Sequence, residues 1–220
     1  MGKTKDIRAA VDDELVFDPL VDAAGVTVAT MGGDVALNGT VPSYPQYLEA
    51  ADATRRVAGV TGVYNHLEVV LAPADYRDDP MLTTVANNAL ELNLTVPDSV
   101  QASAHHGNIT LTGTVRYGSQ RAAAESAVAM LTGVRSVRDD IEISWDADPV
   151  DVITAVQDAL ARYAVIPDDS DVIVETTGNA VTLTGRVATW AEHDAMLDAA
   201  WMTPAVYDVY DRLVVTGSPV

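Results

Sequence analysis

Gly107-Asn108-Ile109-Thr110-Leu111-Thr112-Gly113-Thr114-Val115 carries the pattern that decides the fold. Small turn residues open it, Ile109 and Leu111 alternate with polar neighbours, and a glycine precedes a closing valine, as in a strand leaving a tight turn. The pattern returns upstream as Gly33-Asp-Val-Ala-Leu-Asn-Gly39-Thr40-Val41 and downstream as Asn179-Ala-Val-Thr-Leu-Thr-Gly185-Arg186-Val187. Aligned on Gly39, Gly113 and Gly185, the copies are spaced by 74 and 72 residues. One structural unit is therefore written three times.

Working outward, Val26, Val100 and Val172 stand 13 positions before these glycines, and each opens a short strand. The constant distance predicts a hairpin, and Gly, Asn and Asp between the strands permit the positive φ of a tight turn. Upstream of each hairpin an amphipathic helix is expected. Its apolar faces are Ile7, Val11 and Leu15; then Leu82, Val85, Ala89 and Leu92; then Ile153, Val156, Leu160 and Tyr163. Pro80 and Pro149 stand where the latter two helices begin and a missing N–H costs least.

Downstream of each hairpin runs an alanine-rich helix, with Ala50, Ala53, Thr54 and Val57, then Ala124, Ala127, Val128 and Leu131, then Met196, Ala199, Ala200 and Thr203 on one side. Such small residues let a helix lie close to a sheet. A third strand follows: Gly59-Val60 to Val69, Gly133-Val134 to Ile143, and Ala205-Val206 to Val215, where the glycine is lost. The strand–helix–strand step favours a right-handed crossover with its two strands parallel. The fold class is α+β: three tandem αββαβ units, each a small mixed three-stranded sheet packed by two helices. The units span 1–72, 80–145 and 149–216, and their short joints predict that they pack against or restrict one another.

The motif Gly107-x-Ile-x-Leu-x-Gly113-x-Val, the alanine-rich helix and Gly133-Val-x-x-Val137-x-x-x-Ile resemble the BON domain, a family named for an osmotically inducible periplasmic protein and for nodulation-type proteins. Three copies cover nearly the whole chain; the second is the most similar and the third departs at Ala205. The resemblance implies the αββαβ unit and a binding role rather than catalysis. It also implies an association with envelope integrity, osmotic stress and phospholipid surfaces, and potassium binding in members joined to another module. Gly39, Gly113, Gly185, Gly59 and Gly133 match the family motif as fold determinants, so no ligand residues carry over.

Charge narrows the partners. The 32 acids against 13 bases give a net charge of −19. The three repeats carry 13 acids and 6 bases (1–79), 8 and 4 (80–148), and 11 and 3 (149–220), so every unit is negative. Nucleic-acid binding needs clustered Lys and Arg, and no cluster is present. Anionic membranes should repel such a surface. Cysteine is absent, which excludes disulfides and thiolate chemistry. The charged start Met-Gly-Lys-Thr-Lys-Asp-Ile-Arg is no signal peptide, and no apolar run reaches 18 residues, so the expected compartment is the cytoplasm.

Individual motifs are weak. His105-His106 lies in a hairpin turn, with Asp98 as a neighbour in sequence; adjacent histidines on a strand point to opposite faces, so metal binding is disfavoured. His66 and His193 occupy unmatched positions. Among the acid pairs Asp78-Asp79, Asp139-Asp140 and Asp168-Asp169-Ser-Asp171, none has the glycine-punctuated loop of a calcium hand. Asp168, Asp169 and Asp171 are the best candidates for weak potassium or calcium binding. Gly2-Lys3-Thr4 imitates the end of a phosphate loop but lacks the upstream glycine. Trp190 and Trp201 flank the third unit's second helix as a candidate partner surface; the preferred reading is that with Trp145 they fill a gap between units two and three.

The expectation is a non-catalytic binding or scaffolding protein without a cofactor. It would be tied to stress or the envelope and meet a phospholipid surface. An intracellular potassium-type cation sensor and a protein-partner adaptor are the alternatives.

Overall fold

The computed structural model describes residues 2–143, 152–162, 172–203 and 206–217. Unit 1 consists of α1 (Gly2–Phe17), β1 (Val26–Met31), β2 (Asp34–Val41), α2 (Tyr44–Arg55) and β3 (Gly62–Val69). Unit 2 repeats the order with α3 (Asp79–Glu91), β4 (Gln101–His105), β5 (Asn108–Val115), α4 (Gly118–Ala129) and β6 (Ser136–Ile143). Unit 3 has α5 (Val152–Ala161), β7 (Ile173–Thr177), β8 (Ala180–Val187), α6 (Trp190–Trp201) and β9 (Asp208–Val215). In every sheet the motif strand is central. It pairs antiparallel with its hairpin partner and parallel with the third strand, as the crossover rule requires.

One face of each sheet is buried by its helices. Val35, Leu37 and Val41 of β2 correspond to Ile109, Leu111 and Val115 of β5 and to Val181, Leu183 and Val187 of β8, and all are buried. The alanine stripes lie against them as expected, with Ala50, Ala53, Ala124, Ala199 and Ala200 fully buried. Units 1 and 2 share one continuous core cluster, whereas unit 3 has its own.

The first helix of unit 1 buries Val11 and Leu15 as expected, with Ile7 packed beside them, but those of units 2 and 3 are rotated from their expected faces. In α3 the buried stripe is Leu82, Ala86 and Leu90, while Val85 is exposed and Leu92 is 83% exposed. In α5 it is Val152, Val156 and Ala159, with Ile153 exposed; Tyr163 lies outside the described residues. The reason is visible along the edge of β4. Asp79 accepts from the backbone N–H of His106 and Gly107 (2.9 and 3.2 Å), and Thr83 Oγ1 accepts from Ala104 N–H (3.0 Å). Asn87 closes the series by donating to Ala102 O (2.8 Å) and accepting from Ala102 N–H (3.0 Å). Four helical residues rise about 6 Å and two strand residues about 6.8 Å, so side chains at every fourth helix position meet every second strand residue. Turning α3 toward this edge carries Val85 out of the core.

The glycine at the centre of the motif is required by backbone geometry. Gly113 has φ +131°, and a Cβ there would collide with the carbonyl oxygen of Ser99, where the chain enters β4; Gly39 meets Gly25 in the same way. The crowding comes from the neighbouring chain just where it enters the hairpin's first strand. Gly59 and Gly133 also adopt positive φ, just before their third strands.

Candidate functional site

Each unit ties its second helix to its third strand through one polar pair, and the pair differs each time. In unit 1 Asn65 donates to the backbone carbonyl of Tyr47 (2.7 Å). In unit 2 Arg121 forms an ion pair with Asp139. In unit 3 His193 Nε2 lies 2.8 Å from Asp211 and its Nδ1 lies 2.9 Å from Asp194. The strand residue is held in place by its own chain, because Asn65, Asp139 and Asp211 each accept from the N–H two residues on (3.2, 2.9 and 2.9 Å). The clasp therefore presents a preset polar group, an amide N–H in unit 1 and a carboxylate oxygen in units 2 and 3, to whatever the helix supplies.

His193 is correspondingly not incidental. Its side chain is only 9% exposed, and the Trp190 ring meets it edge-on with centroids 4.9 Å apart. Burial pulls its pKa down, but the hydrogen bond to Asp194 and the charge of Asp211 outweigh that, so it stands above 6.5. The signal in the sequence was the constant separation of 18 residues from Tyr47 to Asn65, Arg121 to Asp139 and His193 to Asp211.

The clasps border seams between the units. Between units 1 and 2, Tyr44 and Tyr47 stack at 5.6 Å and Arg135 Nε donates to Val69 O (3.3 Å) beside a cavity of about 480 Å³. Burial, then the charge of Glu125, raises the Tyr44 phenol. Between units 2 and 3, Gly118 opens α4 against the Trp201 ring, and a Cβ there would collide with it. Arg121 stands over the same ring at 5.8 Å. That seam holds about 390 Å³ and carries Glu125, Asp139 and Asp198. Burial, then the charge of Asp139, raises the Glu125 carboxyl; burial, then Asp194, raises Asp198. Between units 3 and 1, Arg55 at the end of α2 lies 5.0 Å over the Trp190 ring, beside a cavity of about 250 Å³. The three contacts join unit 1 to 2, 2 to 3 and 3 to 1.

Trp190 and Trp201, at the two ends of α6, thus both face neighbouring units, Trp201 toward unit 2 and Trp190 toward unit 1. Trp145 lies outside the described residues, as do Asp168, Asp169 and Asp171. His105 and His106 occupy the β4–β5 turn with ring centroids 4.2 Å apart. Their carboxylate neighbour is Asp79, held low in pKa by the N–H groups of His106 and Gly107, whereas Asp98 lines a different cavity beside Val96 and Gln101. Among the described residues, no three His, Asp or Glu side chains are grouped to hold a metal ion, and no helix is long and apolar enough to cross a membrane. Arg56 is tied to Glu14 (3.1 Å), Glu49 (2.9 Å) and Asp18, which fastens α1 to α2.

Comparison with known proteins follows this repeat closely. The chain is 31% identical over 141 residues to osmotically-inducible protein Y of Escherichia coli (strain K12), covering 62% of this chain and 70% of the relative. Among solved structures, CdsD, a structural protein of the type III secretion system of Chlamydia trachomatis, aligns over 96% of this chain and 92% of its own at 14% identity. Its TM-score of 0.26 is too low for the likeness to bear on this fold. The BON domain family matches at residues 3–70, 78–144 and 149–217, one match for each αββαβ unit. The protein belongs to the BON domain family.

Proposed function

We propose that this chain is a non-catalytic BON-type binding and scaffolding protein of the osmotic stress response, docking on a phospholipid surface. The observation that carries the reading is a repeated exposed apolar residue. Leu20 is 64% exposed and Leu94 101%, and they stand 74 residues apart, the spacing of Gly39 and Gly113. Both lie in the segment joining a unit's first helix to its hairpin, accompanied by exposed Phe17 in unit 1 and Leu92 in unit 2. At the matching position of unit 3 the sequence has Ile166. Exposed apolar side chains on connecting segments suit insertion among acyl chains, while the net charge of −19 opposes anionic headgroups unless divalent ions bridge them. The osmotically inducible relative supports the stress assignment.

Co-sedimentation with phosphatidylcholine and phosphatidylglycerol vesicles, each with and without divalent ions, tests this. Pelleting is expected with the neutral vesicles in either condition and with the anionic ones only when divalent ions are present. The Leu20→Ser/Leu94→Ser double variant should remain in the supernatant. No pelleting under any condition overturns the lipid reading and leaves the protein-partner adaptor, for which pull-down from the native host is the test.

A further inference from the structure

The sheet face that the helices of unit 3 leave open reverses the charge of its counterpart in unit 2. Side chains alternate along a strand, so burial of Val181, Leu183, Val187 and Val215 turns their neighbours to the other face. Strand register then sets two adjoining rows on that face, Ile173–Thr184–Arg212 and Arg186–Val214. The same rows of unit 2 read Gln101–Thr112–Asp140 and Thr114–Glu142. Those of unit 1 read Thr27–Asn38–His66 and Thr40–Glu68. Unit 3 alone therefore sets arginines where unit 2 has Asp140 and Thr114, and apolar residues where it has Glu142 and Gln101.

The two arginines are free to act. Arg186 and Arg212 are exposed, and neither takes part in an ion pair or hydrogen bond among the described residues. They are two of only 3 bases in a unit with 11 acids. Ile173 is 60% and Val214 56% exposed in the same two rows. The acids of this face, Glu175 and Asp208, stand farther along the strands, and Asp208 accepts from the Tyr210 hydroxyl. One half of the face is thus basic and apolar, a pairing that suits a partner of opposite charge with apolar side chains of its own.

Charge and spacing narrow that partner. Two bases are too few to displace the counterions of a nucleic acid. A second copy would bring a further −19. A headgroup layer laid on so flat a face would have to receive Glu175 and Asp208 as well. An extended acidic segment fits better. Arg186 and Arg212 are diagonal neighbours on β8 and β9, about 7–8 Å apart, and alternate side chains of an extended chain stand about 6.8 Å apart. Carboxylates two residues apart therefore reach both guanidinium groups, each of which can take one in a two-bond fork. Apolar residues flanking them on the same side come within reach of Ile173 and Val214.

We propose that the open face of unit 3 docks an extended acidic segment of a partner protein, with carboxylates on Arg186 and Arg212 and apolar side chains on Ile173 and Val214. The face is separate from Leu20 and Leu94, which belong to units 1 and 2, so the lipid reading and this one can fail independently.

The test is an NMR titration of the full chain with the end-blocked peptide Leu-Ser-Glu-Ser-Glu-Ser-Leu and, as control, the same peptide with lysine for glutamate. Ionic strength is held constant to fix screening. The Nε–H resonances of Arg186 and Arg212, each identified by its loss in the single glutamine variant, should move saturably with the acidic peptide and stay in place with the basic one. Amides of Gln101 and Asp140, at the matching rows of unit 2, should not respond. Arg186→Gln/Arg212→Gln should raise the half-saturating concentration about tenfold or more, the scale of hydrogen bonds to a charged group, with an unchanged melting temperature. Ile173→Ser/Val214→Ser keeps both charges and should still weaken binding severalfold, which separates docking from charge attraction alone. Arginine resonances that do not move, that move alike with both peptides, or that titrate unchanged in either double variant overturn the docking face. A response to dihexanoylphosphatidylglycerol below its micelle concentration, in place of one to the peptide, overturns it in favour of a lipid headgroup site.

Discussion

Units 2 and 3 share one backbone plan and differ in every place where that plan meets something else. The edge strand β4 is sealed by Asp79, Thr83 and Asn87 of α3. When the buried stripes of α3 and α5 are superimposed, Thr83 and Asn87 correspond to Ile153 and Gln157, of which Ile153 has no hydrogen-bonding side chain. The clasp of unit 2 is the guanidinium–carboxylate pair Arg121–Asp139, whereas that of unit 3 is the imidazole–carboxylate pair His193–Asp211. The helix that opens with Gly118 in unit 2 opens with Trp190 in unit 3, so one seam is closed by an absent side chain and the other by a large one. Glycines and apolar strand positions define the unit; the polar and aromatic exceptions define how units differ.

The largest effect should come from a change that unit 2 cannot absorb. Gly113→Val forces a β-branched residue to φ +131° and drives its Cβ into the Ser99 carbonyl. The strain alone is about 1–3 kcal/mol, and the collision adds to it. Because units 1 and 2 share a core, both should lose cooperative unfolding while unit 3 resonances persist; an unchanged thermal midpoint would refute this. Next comes Asn87→Ala, which strips the paired N–H and C=O of Ala102 of their helix partner at a cost of about 1–3 kcal/mol. Faster amide exchange at Ala102 reads it directly. The matching Gln157→Ala in unit 3 should stay within about 0.5 kcal/mol, as exposed positions do. Equal effects in the two would erase the edge-strand contrast.

A third change addresses the seam rather than the unit. Gly118→Leu places a side chain where the Trp201 ring lies and should cost about 1–3 kcal/mol through overpacking, with each unit's own sheet intact. The expected signature is a red shift of Trp201 fluorescence as the ring is displaced from Arg121. Unaltered fluorescence would mean that units 2 and 3 do not meet there in solution.

Much of the unit was legible because its determinants are local. The Gly-x-Ile-x-Leu-x-Gly pattern marks strand, turn and register within nine residues, and the alanine stripe marks a close-packed helix. The first helix of unit 2 was misread because Leu82, Val85 and Ala86 sit on overlapping faces, whereas that of unit 1 was read correctly. Only the edge of β4, about 15 to 28 residues away in sequence, decides which face turns inward. His193 looked unmatched because its counterparts Tyr47 and Arg121 are chemically unlike it, although all three stand 18 residues before the strand residue they pair with. The seam between units 2 and 3 was legible in part, since Trp201 fills it as the sequence suggested, but the seam between units 1 and 3 was not. Arg55 and Trp190 are 135 positions apart, and no local pattern announces that one will lie over the other.

The smallest effect separates the two clasps by pH. The His193 pKa is raised in the folded state, because the hydrogen bond to Asp194 and the charge of Asp211 outweigh the lowering effect of burial. A raised histidine binds its proton more tightly folded than unfolded, so its stabilisation is fully present below the ordinary 6.5. It is lost as pH rises through the folded-state value. Arg121, in the same position of unit 2, keeps its charge across that range. The melting temperature of unit 3, followed by its own amide resonances, should therefore fall as pH rises from the ordinary 6.5 through the folded-state value, while that of unit 2 does not. Asp194 and Asp211 favour the protonated ring, and the Trp190 edge contributes no titration, so His193→Gln should flatten the unit 3 profile and lower its stability at pH 6. A unit 3 melting temperature that rises over this window, or a His193→Gln profile with the wild-type slope, would assign the pH dependence to another group and reduce the clasp to a packing contact.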